Sequence, residues 1–431
     1  MTLVCPDCFD DKVLRRRLEK IRPQFTDEKC DFHPSKKGIP ADSVAELFDG
    51  VIRAKYQHAD YDYNGEPRGE DLNSVVTDLG NIDDYRAAEA IASALIRNDP
   101  YWLPDGDTPF YSEEVGYESS EYMADSYSYL WQGFQSSILH ERRFFNERAI
   151  QNLTSLFGEI HKQRTANGRS PVYMLGQERP VVIFRARASG DGATRKSIHA
   201  EPWKNLGCPP AEKRVAGRMN PSGIAVFYGA FEVETCFAEL RPAVGSTLTV
   251  ANFNLRRPIC VLDLTQFTQP QRVNSPFVEG YSHKVAQWVF LEAFQNQISK
   301  PISELNSHLD YIPTQVIAEF LTAILKMQVG GKDTRIEGII YGSSQRPSGK
   351  NIAIFGEAAQ VFVEHSEEKP EKSGYFGELI EWSEKQLARN YGLEVVKGTV
   401  LDYVVRGAEY KCTPITSGEY FVRSLGADRE Y

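Results

Sequence analysis

The spacing of apolar residues divides the chain into two kinds of pattern. Between residues 41 and 165, apolar side chains recur every three or four positions, in ADSVAELFDGVIRAKY, DDYRAAEAIASALIRN and the long run from 119 to 161. This period places apolar side chains on one face of an α-helix, so the segment predicts a bundle of helices. A polar, tyrosine-rich stretch, HADYDYNGEPRGED, interrupts the helical patterns and predicts a loop.

Short apolar runs of strand length begin near residue 181. They are VVIFRARA, GIAVFYGA, STLTVANFNL, RPICVLDLT, IEGIIYGSS, KNIAIFG and AQVFVEH, separated by glycine and proline turns and by two helical patterns, HKVAQWVFLEAFQNQ and TQVIAEFLTAILKM. Strands mixed with a few helices predict an α+β domain. Beyond a linker-like HSEEKPEKSG, the chain has one amphipathic helical pattern, FGELIEWSEKQLARNYG, and one strand-like run, LEVVKGTVLDYVV.

These patterns predict four regions. We expect a small head at 1–40, a mostly helical domain at 41–168, an α+β domain at 169–366 and a C-terminal helix–strand extension at 367–431. No stretch approaches the apolar length of a membrane span, and the N-terminus MTLVCPDCFDD lacks the apolar core of a secretion signal. The expected location is therefore the cytoplasm, without membrane contact.

Charge follows the same division. The chain has a formal net charge of −10, which argues against a protein whose whole surface binds nucleic acid. Residues 169–365 carry 21 Lys and Arg against 17 Asp and Glu, a net charge of +4, so the rest of the chain carries −14. Between 185 and 218 there are eight basic residues and three acidic ones, a cluster that suits a small anionic ligand. For any single one of these side chains, a solvated surface loop is the simpler interpretation.

Residues 217–240, GRMNPSGIAVFYGAFEVETCFAEL, place three functional groups close together in sequence. Arg218 follows a glycine at a turn and offers a planar set of donors for phosphate or carboxylate oxygens. Tyr228 ends a strand-like run, where its ring can stack on a base. Glu239 ends a short helix, on which Thr235 and Glu239 are expected to share one face. The predicted buried face of that helix consists of Val233, Phe237 and Leu240.

This set of side chains suits the cleavage of a nucleotide. Arg218 can bind a diphosphate, and a carboxylate beside a ribose can stabilise the positive charge that develops at the anomeric carbon when an N-glycosidic bond breaks. Nicotinamide leaves as a neutral base and needs no general acid, so Glu239 alone would suffice. The residues by themselves leave a second interpretation open, in which the arginine belongs to an ordinary turn, the tyrosine packs and the glutamate is solvated.

The same segment resembles the central motif of the RES-domain family, which is named for its Arg, Glu and Ser. Three further stretches agree in order between about residues 175 and 365, namely VVIFRARAS, DYIPTQVIAEFL and GIIYGSSQRPSGKNIAIF. Two positions depart from the usual family pattern: Met219 stands where an aromatic residue is usual, and Gly342 where proline is common.

The resemblance implies an α+β fold related to ADP-ribosyltransferases and an activity that consumes NAD, typically as the toxin of a bacterial toxin–antitoxin pair. By position, its catalytic residues are Arg218, Tyr228, Glu239 and Ser343. Arg185 would help Arg218 to bind the pyrophosphate, Tyr228 would stack on nicotinamide or its ribose, and Ser343 would bind the nicotinamide amide or orient Glu239. Ser344 is a further predicted substrate contact. The sequence has no G-x-G-x-x-G after a strand and no G-x-x-x-x-G-K-[ST], so NAD is expected as a substrate and not as a cofactor.

The first residues of the chain predict a metal site. Cys5-x2-Cys8 is followed after 21 residues by Cys30-x2-His33, which supplies three thiolates and one imidazole. These are the ligands of a closed structural zinc site. Seven cysteines in 431 residues are too few for a disulfide scaffold.

The head and the helices that follow it resemble, more loosely, the N-terminal domain of the HEPN-like group that accompanies some RES domains. Some HEPN proteins are ribonucleases with an R-x4-6-H motif, which Arg53 and His58 match, although a helix-end surface pair is the favoured interpretation.

The favoured function is cleavage of the nicotinamide–ribose bond of NAD by hydrolysis or phosphorolysis. The alternatives are ADP-ribosyl transfer to a protein, or an RNA-directed HEPN effector whose RES domain senses nucleotides. A protein antitoxin or inhibitor and a homodimer are expected partners, and nucleic acid is not.

Overall fold

The computed structural model describes residues 2–63, 66–99, 109–119, 122–268, 275–299, 307–363 and 391–407. It confirms the predicted α+β class, with a helical N-terminal region and a mixed sheet over the second half of the chain. The helices are α1 (Lys12–Ile21), α2 (Ala41–Lys55), α3 (Leu72–Gly80), α4 (Tyr85–Arg97), α5 (Tyr122–Ser136), α6 (Glu147–Phe157), α7 (Gly192–Ala200), α8 (Pro202–Asn205), α9 (Val233–Glu239), α10 (Tyr281–Ser299), α11 (Ser307–Asp310) and α12 (Ile312–Glu319).

The strands are mostly short. They are β1 (Leu3–Val4), β2 (Ile39–Pro40), β3 (Tyr56–His58), β4 (Tyr117–Ser119), β5 (Val172–Leu175), β6 (Val182–Ala188), β7 (Val226–Ala230), β8 (Thr247–Leu255), β9 (Ile259–Asp263), β10 (Met327–Val329), β11 (Lys332–Thr334), β12 (Gly338–Gly342), β13 (Lys350–Phe355), β14 (Val361–Phe362), β15 (Leu393–Val395) and β16 (Leu401–Val404). In the described part of the chain, no helix combines the length and the apolar character that crossing a membrane requires.

Acidic and amide side chains begin several of the helices. Asp11 accepts hydrogen bonds from two backbone N–H groups at the start of α1, and Asp71 and Asp84 do the same for α3 and α4 with one each. Such caps satisfy N–H groups that have no partner inside the helix. The helices α1 to α4 then bury a common apolar core that includes Phe9 and Phe48.

A ten-stranded sheet forms the centre of the second half. Its strand order is β14-β15-β8-β6-β7-β13-β12-β9-β5, and β16 also pairs with β8. The β9–β12 and β14–β15 pairs are parallel, and the other pairs are antiparallel. Strands β15 and β16 come from the region that the sequence predicted as a C-terminal extension, so its described part contributes to the central sheet. The helix predicted over 376–392 lies outside the described residues apart from its last two positions.

One face of the central sheet shares its core with the helical region. Phe157 of α6 packs against Phe290 and Phe294 of α10, with ring centroids 5.7 Å and 5.4 Å apart. These side chains belong to a cluster that also includes Val226 and Ile339 of the central strands. The opposite face of the sheet carries Phe227, Phe253 and other buried residues of a separate cluster. The helices α5 and α6 therefore complete the core of the domain that follows them in sequence.

The N-terminal head also contacts the segment that precedes α10. Phe277 is fully buried in the N-terminal core, with its ring centroid 4.8 Å from that of Phe48. Arg17 donates a hydrogen bond to the Phe277 carbonyl at 3.0 Å, and Ser275 donates one to the capping Asp11 at 2.8 Å. The head therefore packs against the segment that leads into α10.

Candidate functional site

A tight turn at residues 217–220 presents Arg218. The Gly217 N–H donates to the Asn220 carbonyl at 2.9 Å and closes the turn. A Cβ atom on Gly217 would lie 2.7 Å from Asn220 Oδ1 and 3.0 Å from the Tyr228 hydroxyl. Any side chain at this position would therefore displace both groups, so the close approach of the backbone requires glycine.

The hydroxyl group of Tyr228, on β7, stabilises this turn through two hydrogen bonds. It donates to Asn220 Oδ1 at 2.8 Å and accepts from the Met219 N–H at 3.0 Å. Burial raises the pKa of Tyr228 to about 12, so the phenol stays neutral over the working pH range. The hydroxyl group thus positions the turn, and the partly buried ring of Tyr228 packs against the core on this face of the sheet.

Helix α12 contacts the turn from the other side. Thr314 donates to the Arg218 carbonyl. Gln315 Nε2 donates to the carbonyls of Gly217 and Asn220, at 2.8 and 3.0 Å. The Thr-Gln pair of the DYIPTQVIAEFL stretch therefore satisfies the backbone acceptors of the turn.

The Arg218 guanidinium lies between two helices. Its Nη1 donates to the carbonyl of Ile298, near the C-terminal end of α10, and its centre lies 5.9 Å from the centroid of the Tyr311 ring. The last carbonyls of a helix lack partners within the helix and carry partial negative charge, which suits an arginine.

Glu239, the last residue of α9, accepts two hydrogen bonds from residues that lie next to β12 and within β13. Ser343, directly after β12, donates from Oγ to Glu239 Oε1 at 2.6 Å. Asn351, near the start of β13, donates from Nδ2 to the same oxygen at 2.6 Å. Glu239 is exposed, whereas Asn351 is buried. Residues more than a hundred positions apart thus meet at one carboxylate oxygen.

Ser343 and Ser344 differ in their contacts. The Ser343 hydroxyl contacts Glu239 and also accepts the N–H groups of Gln345 and Arg346, each at 3.1 Å. Ser344 is exposed, and within the described residues its hydroxyl accepts only a local hydrogen bond from Gln345 at 3.0 Å. Of the two adjacent serines, Ser343 is the one that the fold brings to Glu239.

Helix α9 is oriented differently from the sequence prediction. Its buried residues are Thr235 and Cys236, whereas Leu240 is 39% exposed. The expectation that Val233, Phe237 and Leu240 form the buried face is wrong, as is the placement of Thr235 beside Glu239 on an outer face. Thr235 turns inward because its hydroxyl bonds to Glu232 at 2.9 Å and to Arg346 at 3.0 Å, beneath the loop that ends at Gly349.

Phe237 is covered by the C-terminal part of the chain instead. Its ring centroid lies 4.9 Å from that of Tyr403 on β16. A short helix gives a weak periodic signal, so tertiary contacts of this kind decide which face is buried.

Arg185 occupies a different position from the other predicted site residues. Phe184 of β6 pairs with Ala230 of β7, so the next residue, Arg185, points to the opposite face of the sheet, the one that carries Phe227. Its guanidinium carbon lies 4.7 Å from the Phe227 ring centroid. Arg185 is half-buried, and its Nη1 atom is buried without a hydrogen-bond partner in the described part of the chain. Loss of solvation lowers the pKa of this guanidinium.

The register of the central strands identifies a further site residue. Tyr341 of β12 pairs with Asn351 of β13, which pairs in turn with Ala230 of β7, so Tyr341 and Asn351 lie on the same face. Burial raises the pKa of the Tyr341 phenol, and the nearby Tyr228 and Glu239 raise it further. Neither Asn351 nor Tyr341 was singled out from the sequence, although both belong to the GIIYGSSQRPSGKNIAIF stretch.

The four predicted metal ligands lie together in the head. The Sγ atoms of Cys5, Cys8 and Cys30 and the Nδ1 atom of His33 all lie within 4.8 Å of one another. The Cys5–Cys8 and Cys8–Cys30 sulfur distances are 3.9 and 3.6 Å, and His33 Nδ1 lies 3.5 and 3.4 Å from the sulfurs of Cys5 and Cys8. Tetrahedral zinc with its usual bond lengths would separate two sulfurs by about 3.8 Å and a sulfur from a nitrogen by about 3.6 Å. The donor set and its spacing therefore fit zinc.

Arg53 and His58 both contact neighbours within the helical region. Arg53 forms ion pairs with Asp49 and with the buried Asp99. His58 Nε2 lies 2.8 Å from the Phe110 carbonyl, and its ring stacks on that of Phe110. Through these contacts both side chains stabilise the helical region, and the contacts do not favour a role in RNA cleavage.

Comparison with known families bears on residues 183–373. These residues match the family model described as the RES domain. This part of the chain is therefore similar to a RES domain, in agreement with the sequence resemblance. A search of curated proteins found no match, and neither did a search of solved structures.

Proposed function

We propose that the protein cleaves the nicotinamide–ribose bond of NAD at the site formed by Glu239, Ser343 and Asn351. The observation that carries this proposal is the convergence of two donors on one oxygen of an exposed carboxylate, within a RES domain, a kind of domain generally regarded as an enzymatic toxin. A carboxylate oriented in this way is suited to stabilise positive charge on a ribose ring.

The chemistry assigns one task to each group. The bond between the anomeric carbon and the pyridinium nitrogen breaks, its electron pair goes to nicotinamide, and the ribose becomes an oxocarbenium ion. Glu239 stabilises this cation. An acceptor, which is water, phosphate or a protein side chain, then bonds to the anomeric carbon and loses a proton. We expect the ring of Tyr228 to stack on nicotinamide or its ribose, and Ser344 is a further candidate substrate contact.

Arg218 and Arg185 supply the positive charge for the pyrophosphate. Within the described residues the Arg185 side chain has no hydrogen bond or ion pair, and its Nη1 atom is buried. Burying an unpaired guanidinium costs free energy, and a protein gains from doing so where an anionic ligand supplies the missing partner. Because Arg185 points to the other face of the sheet from Asn351, the pyrophosphate would have to lie beside α9, beyond the end of β7, where β6 continues past Arg185 paired with β8 alone.

Replacement of Arg185 by methionine separates the effect of this side chain on protein stability from its effect on NAD binding. We expect Arg185→Met to raise the melting temperature or leave it unchanged, because the buried charge disappears while the side-chain volume remains similar. The KM for NAD should rise about tenfold or more, because a charge-assisted contact with the pyrophosphate is lost. Differential scanning fluorimetry and steady-state kinetics measure the two effects. Arg187→Met, at an exposed position of the same strand, is the matched control for stability, and an unchanged KM in Arg185→Met would exclude Arg185 from the binding site.

The direct test is incubation of the full-length protein with NAD, with and without phosphate. Chromatography should show release of nicotinamide, together with ADP-ribose if water is the acceptor or ADP-ribose 1″-phosphate if phosphate is. Label from ³²P-NAD that stays on protein would instead identify ADP-ribosyl transfer. No release of nicotinamide under any of these conditions contradicts the proposal.

We propose in addition that Cys5, Cys8, Cys30 and His33 bind one structural zinc ion. Four protein ligands fill a tetrahedral site and leave no position for substrate, so the ion would stabilise the head and take no part in catalysis. Zinc would connect the start of the chain to the segment around Cys30 and His33 and so complete the small core around Phe9.

The biological role that fits these features is that of a toxin or effector controlled by a protein antitoxin or inhibitor, acting as a homodimer. Loss of NAD would harm the cell that contains the active enzyme, so an unregulated enzyme would not be tolerated. Copurification with a partner encoded beside the protein, and the mass of the purified complex, test this assignment.

A further inference from the structure

We infer that Asn351 is a positioning residue for the reaction, and that Glu239 acts on the ribose through Oε2. The inference rests on the proposed function. It starts from the asymmetry of the Glu239 carboxylate, in which Oε1 accepts hydrogen bonds from Ser343 and Asn351, each at 2.6 Å. Within the described part of the chain Oε2 accepts none.

The identity of the donor follows from the chemistry of the carboxylate. An ionised carboxylate can only accept hydrogen bonds, so the amide atom that faces it must be Nδ2 and not Oδ1. At 2.6 Å this is a short, charge-assisted hydrogen bond. Asn351 is 4% exposed, which shields the contact from competition by water.

The backbone of Asn351 is held more firmly than that of Glu239. Asn351 lies in β13 between β12 and β7, where it pairs with Tyr341 and Ala230. Glu239 is the last residue of a seven-residue helix, and Ser343 begins a loop. Asn351 is therefore the donor that fixes the position of the Glu239 carboxylate relative to the rigid central sheet. Removal of its N–H group would allow the carboxylate to rotate.

The two donors also determine which oxygen of the Glu239 carboxylate faces the substrate. Because both occupy Oε1, the carboxylate is anchored at one oxygen and presents the other. Oε2 is thus the oxygen available to a ribose hydroxyl in the bound substrate and to the anomeric carbon in the oxocarbenium ion. A carboxylate free to rotate would offer either oxygen at variable distance, and a misplacement of about 1 Å costs on the order of a hundredfold in rate.

The test compares Asn351→Leu and Asn351→Asp with wild type in NAD cleavage. Asn351→Leu removes the donor at similar volume, whereas Asn351→Asp keeps the shape but places a second carboxyl group against Glu239, where the two acids repel each other or share a proton. We expect kcat to fall about 10- to 100-fold while KM changes less than about threefold, because the group acts on positioning and not on substrate affinity. In a Glu239→Gln background, Asn351→Leu should cause little further loss, since its effect passes through Glu239. Asn254→Asp, on β8 away from Glu239, controls for an asparagine change in the same sheet.

A second measurement does not depend on turnover or on the folding of the leucine variant. In protein labelled with ¹⁵N at asparagine, the side-chain NH₂ signals of Asn351, assigned by their loss in Asn351→Asp, should shift clearly upon Glu239→Gln. Unshifted signals, or a kcat unchanged in a folded Asn351→Leu variant, overturn the inference. If the signals shift upon Glu239→Gln but the wild-type protein releases no nicotinamide, the contact is supported and the proposed function is contradicted.

Discussion

Glu239→Gln should abolish NAD cleavage while leaving the fold intact. We expect kcat to fall by a factor of about 1,000 or more, because a neutral amide cannot stabilise the oxocarbenium ion and preorganised electrostatic groups contribute several kcal/mol to catalysis. Glutamine keeps an oxygen that can accept from Ser343 and Asn351, so the packing around α9 should survive. Binding of NAD, measured by calorimetry, should weaken only a few-fold, since the pyrophosphate contacts are unchanged. Nicotinamide release measured by chromatography gives kcat.

Glu234→Gln is the matched control for this experiment. Glu234 lies on the same helix and is exposed, so the variant has the same change of charge at a position that does not face Ser343 or Asn351. Full activity is expected. If Glu239→Gln retained more than a tenth of the wild-type rate, or if Glu234→Gln lost as much as it did, the assignment of Glu239 as the catalytic carboxylate would be wrong.

Removal of the proposed zinc ion should unfold the head. Elemental analysis of the purified protein should find about one zinc ion per chain, and Cys8→Ala should reduce this value to near zero. We expect the melting temperature of the variant to fall by about 10 °C or more, since ligation by four residues provides folding free energy and roughly 1 kcal/mol corresponds to 2–4 °C in a domain of this size. A chelator acting on wild-type protein should have the same effect, and added zinc should reverse it.

Cys208→Ala provides the comparison for the metal experiment. Cys208 is half-buried in the α+β region, away from the cluster, and the variant should keep its zinc and nearly all of its stability. Because Phe277 and Ser275 connect the head to the start of α10, loss of zinc should also increase hydrogen exchange in this segment. Wild-type protein that contains no zinc and melts unchanged in chelator would contradict the metal assignment.

The strongest sequence signals came from residues that lie close together along the chain. The change from a helical to a strand-like pattern near residue 181 predicted the α+β class, because the period of apolar residues reflects which faces are buried. The spacing of Cys5, Cys8, Cys30 and His33 predicted a cluster that the structure contains, since ligand pairs two residues apart form a compact knuckle.

Predictions about the orientation of short elements were less successful. Helix α9 has only seven residues. Its buried side is set by hydrogen bonds of the Thr235 hydroxyl with Glu232 and Arg346, beneath the loop between β12 and β13. Likewise, the sequence did not indicate that the Tyr228 hydroxyl is bonded to Asn220 in the turn. Both outcomes depend on partners distant in sequence.

The sequence by itself determined the fold class, the RES-like motifs and the residue types of the candidate site. Only the tertiary structure decided how these residues combine: that Ser343 and not Ser344 reaches Glu239, that Asn351 joins them, and that Arg185 points to the other face of the sheet. The physical reason is that local spacing governs helix and strand periodicity, whereas contacts between strands depend on register. A shift of one residue in register moves a side chain to the opposite face, and no local pattern records that choice.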